Sequence, residues 1–121
     1  MKYICIKDFL IHLEKGQVYN VEVKHEGGME VYVLCNGHVK LSDETLPKYL
    51  RPYLQVGDCF QQAWRGCTKP MWFKVLDINR EKNSLKVECH SAEGYSHEED
   101  WDDLDVTEMA FDIGEYKMIG V

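Results

Sequence analysis

The residues of this chain best suited to chemistry are carboxylates, and many of them lie in one stretch near the C terminus. Residues 98 to 115 include nine Asp and Glu residues and no Lys or Arg. Such a cluster can solubilise a protein, cap a short helix, or create a negative field that attracts a basic partner. The first six are candidate protein-binding residues: Glu98, Glu99, Asp100, Asp102, Asp103 and Asp105.

A divalent-cation site built from these carboxylates is a weaker interpretation. Their spacing does not follow the twelve-residue calcium loop, and Trp101 and Leu104 interrupt it. Carboxylates on a rigid scaffold can also imitate the phosphates of a nucleic acid and so enter a basic cleft. We therefore expect a basic protein, rather than a metal ion, to be the partner of this stretch.

A second group of candidate binding residues surrounds the loop between residues 64 and 74. Trp64, Arg65 and Trp72 are of the types enriched at the centres of protein interfaces, and Lys69 adds a further cation. A loop is a natural place to present them. The alternative is that Phe73 is part of the core while Trp72 covers the opposite side of a thin barrel.

Motifs for catalysis or cofactor binding are not found in the sequence. It has no glycine-rich phosphate loop, no nucleophile elbow and no helical His-Glu-x-x-His. Cys89 and His90 are adjacent and so point to opposite faces of a strand, which is poor spacing for a metal site. A nucleophilic pair of Cys89 and His97 stays open, because such partners meet only in the fold. We expect no catalytic residue, no metal site and no cofactor.

The net charge of −7 argues against a general coat for DNA or RNA, because Lys and Arg supply affinity for phosphates. Residues 1 to 53 contain seven Lys/Arg and seven Asp/Glu, whereas residues 54 to 121 contain seven and fourteen. The whole imbalance therefore belongs to the second half of the chain. Direct nucleic-acid binding through the aromatic and basic loop is an alternative function.

Charges near the N terminus and the number of cysteines bear on the compartment. Lys2, Lys7 and Asp8 interrupt any apolar run that could serve as a signal peptide or a membrane span. Five cysteines are an odd number, and several lie in apolar alternating segments, where a thiol behaves as a small hydrophobe. Reduced thiols and a cytoplasmic location are expected.

The elements that must position these residues are short strands with alternating apolar residues. Segment 17 to 25 reads as one strand, residues 26 to 28 as a turn, and residues 29 to 35 as a strand that Asn36-Gly37 joins tightly to the next as a type I′ hairpin. Short helical segments are expected near Leu46 and near residues 107 to 111. Six residues are predicted to be buried: Val21, Val31, Val33, Phe73, Val75 and Val87.

The second half repeats the plan of the first, so we predict two domains, residues 1–53 and 54–121. Gly16-Gln17-Val18-Tyr19 matches Gly57-Asp58-Cys59-Phe60. Twisted short strands with a helical turn before the closing strand resemble the SH3-like barrel, a class that includes Tudor-like modules and small proteins of phages and mobile elements. The resemblance implies an all-β fold of two packed SH3-like small barrels in tandem, and a binding module without a named ligand.

These observations together favour a non-enzymatic protein-binding module. Its acidic surface would engage or block a basic, nucleic-acid-handling host protein, as a phage or mobile-element inhibitor does. The other functions that stay open are the nucleic-acid binder described above and an enzyme with an unrecognised Cys/His or carboxylate site.

Overall fold

The computed structural model describes residues 1–9 and 12–119, and the chain forms two compact units, Met1–Tyr53 and Leu54–Val121. Strands take up 48% of the chain and helical segments 11%, which confirms the prediction of a mostly β protein with short helical turns. No helix in the described residues combines the length and apolar character that crossing a membrane requires.

The first unit contains two three-stranded antiparallel sheets. Strand β1 pairs with β2 and β6 in one sheet, and β4 pairs with β3 and β5 in the other. The elements are β1 (Lys2–Cys5), β2 (Val18–Asn20), β3 (Glu22–Glu26), β4 (Met29–Leu34), β5 (Val39–Ser42), α1 (Leu46–Tyr49) and β6 (Leu50–Pro52).

The segment predicted as one strand from 17 to 25 is divided at Val21 between the two sheets. The Val21 N–H donates to the Met1 carbonyl at 2.7 Å, and the Val21 carbonyl accepts from the N-terminal amine at 3.2 Å. Val21 is buried, so this bend is fixed both by hydrogen bonds and by packing.

Two turns of the first unit require positive φ. Gly27 and Gly28 have φ of 58° and 79° and join the paired residues Glu26 and Met29, as a two-residue type I′ hairpin requires. Asn36 and Gly37 also have positive φ as predicted, but Cys35 has φ of 54° as well. The last pair there is Leu34 with Val39, so the loop has four residues and the prediction of a tight two-residue turn is wrong.

The second unit is one five-stranded antiparallel sheet in the order β10-β9-β8-β7-β11, covered on one face by a helix. Closing a sheet into a barrel requires its two edge strands to pair. None of the three sheets closes in this way within the described residues, so the tandem-barrel prediction is not confirmed. The elements are β7 (Cys59–Gln62), β8 (Trp72–Asn79), β9 (Ser84–His90), β10 (Ser96–Trp101), α2 (Leu104–Met109) and β11 (Tyr116–Ile119).

Each unit has its own apolar core, and five of the six residues predicted to be buried are buried. The exception is Val31, which is half-buried because only the last two residues of β4 reach the interior. An aspartate at Val31 would keep access to water, so Val31→Asp should destabilise the fold less than a charge placed in the core. The core of the second unit is formed by Leu54, Phe60, Phe73, Val75, Leu85, Val87, Cys89, Leu104 and Phe111.

Candidate functional site

The acidic stretch begins on β10, an edge strand of the five-stranded sheet. Glu98 and Asp100 are paired with Glu88 and Lys86 of β9, on the face of the sheet opposite the core. Glu99 is paired with Val87, which is fully buried, so its side chain starts from the core face. All six candidate carboxylates belong to exposed residues, but strand alternation places Glu99 on the face opposite that of Glu98 and Asp100.

Three further carboxylates of the stretch surround the start of α2. Asp102 and Asp103 are exposed, and Asp103 occupies the N-cap position without a capping hydrogen bond from its side chain. The Asp105 carboxylate accepts hydrogen bonds from the Asn83 side-chain amide at 2.7 Å and from the Val106 N–H at 2.8 Å. The bond from Asn83 holds the pKa of Asp105 below its usual value. Asp105 therefore anchors the helix start to the β8–β9 turn.

An open pocket of about 460 Å³ lies where the ends of β10 and α2 meet the start of β11. Trp101 and Tyr116 supply aromatic surface, and Asp102, Asp103 and Glu115 supply carboxylates. The remaining lining residues are Val106, Thr107 and Ala110. No Lys or Arg of the described residues lines this pocket, so it has the chemistry of a receptor for a cationic group.

The negative charges of this pocket affect the pKa of the Tyr116 hydroxyl. Burial raises the pKa of the Tyr116 hydroxyl, and the charges of Asp103 and Glu115 raise it further. The hydroxyl therefore stays protonated at neutral pH and can donate a hydrogen bond. Asp102 and Asp103 are among the binding residues predicted from the sequence, whereas Trp101, Glu115 and Tyr116 are not, because separate elements bring them to the pocket.

A second cluster lies on the core face of the β9–β10 edge. Oε2 of Glu99 accepts a hydrogen bond from the Cys89 thiol at 3.3 Å and lies 2.7 Å from Nε2 of His97. Its other oxygen accepts from Nε1 of Trp101 at 3.3 Å. These bonds, led by the one from His97, lower the pKa of Glu99. The fold therefore joins Cys89 and His97, which the sequence left as an open pair, through a carboxylate.

Cys89 is a poor nucleophile in this setting. Burial, followed by the hydrogen bond to Glu99 and its charge, raises the pKa of the thiol to about 12. The reactive thiolate is then a very small fraction at neutral pH. The arrangement gives no support to a Cys/His nucleophile.

The aromatic and basic loop is not one cluster. Trp64 is 45% exposed and begins a turn that the Cys67 N–H closes on its carbonyl, and Arg65 is exposed in that turn. Lys69 forms an exposed ion pair with Glu93. Trp72 belongs to β8 and is half-buried; it stacks on His90 with ring centroids 3.8 Å apart.

Trp72 does share a sheet face with part of the acidic stretch. It is paired with His90, whose ring bonds to Glu88, and Glu88 is paired in turn with Glu98. Because paired residues point to one face, Trp72 and Glu98 lie on the same side of the sheet. Trp72 of the aromatic loop region and Glu98 of the acidic stretch therefore belong to one surface, which spans β8, β9 and β10 on the face opposite the core.

The five cysteines are free thiols in two environments. Burial raises the pKa of the Cys5, Cys59 and Cys89 thiols, whereas Cys35 and Cys67 are half-buried. A thiol reagent added to the native protein without reductant should therefore titrate two cysteines rapidly, and all five after denaturation. Fewer than five thiols in the denatured chain would reveal a disulfide and contradict this assignment.

Comparisons with protein-family models, with curated proteins and with solved structures find no match to this chain.

Proposed function

We propose that this chain is a non-enzymatic binding protein whose second unit captures a Lys or Arg side chain of a basic protein partner. The observation that carries the proposal is the pocket in which Trp101 and Tyr116 lie beside three carboxylates. Aromatic faces and carboxylates both attract a cation, and the attraction grows as water is displaced.

Exposed carboxylates of the acidic stretch support this proposal because five of them form no ion pair among the residues that the structure describes. The ion pairs of the described residues leave out Glu98, Asp100, Asp102, Asp103 and Glu115. Their field extends over roughly a Debye length, about 10 Å at 0.1 M salt, and would speed the approach of a basic surface. A protein that itself handles nucleic acid is the partner class that fits, because it carries such a surface.

The resemblance to SH3-like modules belongs to the same proposal. Both units have a short helix before their last strand, α1 before β6 and α2 before β11. The matched segments Gly16–Tyr19 and Gly57–Phe60 also begin alike, since Gly16 and Gly57 have φ of 91° and 95°. These shared features support two related binding modules, of which the second carries the acidic pocket.

Neutralising the pocket should weaken the binding of an oligoarginine or oligolysine peptide about 100-fold. The variant is Asp103→Asn with Glu115→Gln, which keeps side-chain shape and leaves a good N-cap residue before α2. Each lost charged contact is worth about tenfold in affinity, or about 1.4 kcal/mol. Isothermal titration at low salt measures the change.

The matched control is Glu22→Gln with Glu44→Gln, two exposed positions of the first unit that alter the net charge equally. It should weaken binding less than about twofold. Equal losses in both variants would show that only diffuse charge attracts the peptide and would refute the pocket. Binding of single-stranded DNA in preference to the peptide would favour the nucleic-acid alternative instead.

Association rates test whether the exposed carboxylates speed the approach of a basic partner, as distinct from holding it in the pocket. The exposed carboxylates Glu98 and Asp102 suit charge reversal to Lys, whereas reversal of Glu99 would also break its bonds to Cys89 and His97. The variant Glu98→Lys with Asp102→Lys should associate with the oligoarginine or oligolysine peptide more slowly than the unchanged protein does at low salt. The difference between the two rates should shrink as salt is added. An association rate that depends on neither the charge reversal nor the salt concentration would mean that these charges only solubilise the protein.

A further inference from the structure

Three side chains with different ligand atoms converge on the core face of the β9–β10 edge. The sulfur of Cys89, a ring nitrogen of His97 and a carboxylate oxygen of Glu99 all lie within 4.8 Å of one another. We propose that this cluster binds a zinc ion through three protein ligands, with the fourth position open to water. The inference goes beyond the proposed peptide binding and does not depend on it.

The backbone of the hairpin creates this arrangement. Cys89 and His97 are directly paired across β9 and β10, and Glu99 follows His97 by two residues on the same face. Paired residues and residues two apart on one face are the closest neighbours that a sheet offers. The three ligands are therefore held by a regular sheet and not by a loop.

The distances suit zinc after small side-chain movements. Tetrahedral bonds of about 2.0 to 2.3 Å place the ligand atoms roughly 3.3 to 3.7 Å apart. In the structure Oε2 of Glu99 lies 3.3 Å from the Cys89 sulfur and 2.7 Å from Nε2 of His97. Both neighbours share this one oxygen, and a metal ion would replace the protons that now connect the three groups.

The ligand types and the surroundings favour zinc over harder ions. A thiolate with an imidazole and a carboxylate is a zinc-type set, whereas magnesium and calcium prefer oxygen ligands alone. The Trp101 N–H holds the second oxygen of Glu99, which is how an outer residue orients a ligand. The side chains of His97 and Glu99 are 56% and 45% exposed, so an ion can enter from solvent and keep a water molecule.

Cobalt titration of the chelator-treated, reduced full chain tests the proposal. Co²⁺ accepts the same tetrahedral ligands, and its bond to a thiolate produces a charge-transfer band in the near ultraviolet. We expect this band to saturate at one Co²⁺ per chain and to disappear when Zn²⁺ is added. Zn²⁺ should also raise the Tm, because it binds the folded state.

Exposed residues of the same types supply matched controls for the ligands. Glu99→Gln and His97→Gln should weaken Co²⁺ binding at least about 100-fold, more than the loss of an outer-shell group. Glu98→Gln and His25→Gln make the same changes at exposed positions outside the cluster and should alter affinity less than about twofold. A missing charge-transfer band, or equal binding by Glu99→Gln and Glu98→Gln, would overturn the site.

The pocket variant distinguishes this inference from the proposed function. Asp103→Asn with Glu115→Gln should lose peptide affinity and keep the cobalt band, since neither residue is a ligand of the cluster. Glu99→Gln should lose the cobalt band. Loss of the band in the pocket variant would mean that the thiolate-bound ion also depends on Asp103 or Glu115, and would refute a site formed by Cys89, His97 and Glu99 alone.

Discussion

Phe60→Ala should lower the free energy of unfolding by about 3–5 kcal/mol, the range typical of a fully buried aromatic residue. Phe60 is 0% exposed and is the centre of an aromatic group. Its ring centroid lies between 5.0 and 6.2 Å from those of Phe73, Trp101, Phe111 and Tyr116. Truncation would remove these contacts and leave a cavity that a sheet cannot close.

Urea denaturation monitored by circular dichroism measures this decrease in the free energy of unfolding. Phe60→Leu keeps most of the volume and should cost clearly less. Tyr95→Ala removes an aromatic ring that is 77% exposed and should change stability by no more than about 0.5 kcal/mol. A Phe60→Ala protein as stable as Tyr95→Ala would contradict the assigned core.

Glu108→Ala should cost about 3 kcal/mol of unfolding free energy, although Glu108 belongs to the acidic stretch. Its carboxylate accepts the Leu54 N–H at 2.8 Å and two bonds from the Arg80 guanidinium at 3.0 and 3.1 Å. Removing it deprives the buried Leu54 N–H of that acceptor and removes one negative charge that lies against the Arg80 guanidinium. The value is at the lower end of the range for buried pairs, because the Arg80 side chain is 32% exposed.

The exposed pair of Lys69 and Glu93 is the internal control. Their side chains are 75% and 54% exposed, so Glu93→Ala should cost less than about 0.5 kcal/mol. Added salt should further weaken the exposed pair and affect the buried one much less. Equal, small losses for Glu108→Ala and Glu93→Ala would mean that Glu108 is a surface carboxylate after all.

The structural roles of Glu108 and Asp105 show why the function of the acidic stretch could not be predicted from its composition. Charge density identified nine carboxylates, yet Glu108 is 8% exposed and structural, and Asp105 anchors a turn. Glu99 is separated from Glu98 and Asp100 by strand alternation. A count of charges carries no information on which face each one occupies or which partner it meets.

Local patterns in the sequence did predict the features that depend on near neighbours. Alternation predicted burial for Val33, Phe73, Val75 and Val87, because side chains of a strand point to opposite faces in turn. The glycines of residues 26 to 28 predicted a turn, because positive φ is easiest for Gly. Val31 was the exception, since alternation cannot tell where a strand leaves the core.

Only the tertiary structure decided which distant residues meet. The proposed zinc ligands depend on the register that pairs Cys89 with His97, and the pocket depends on β10 ending and β11 beginning beside α2. Register follows from turn lengths and from the burial of whole faces, so a shift of one residue would move every side chain to the other face. The sequence by itself therefore determined strands, turns and charge, whereas long-range pairing decided where carboxylates, thiol and aromatic rings form sites.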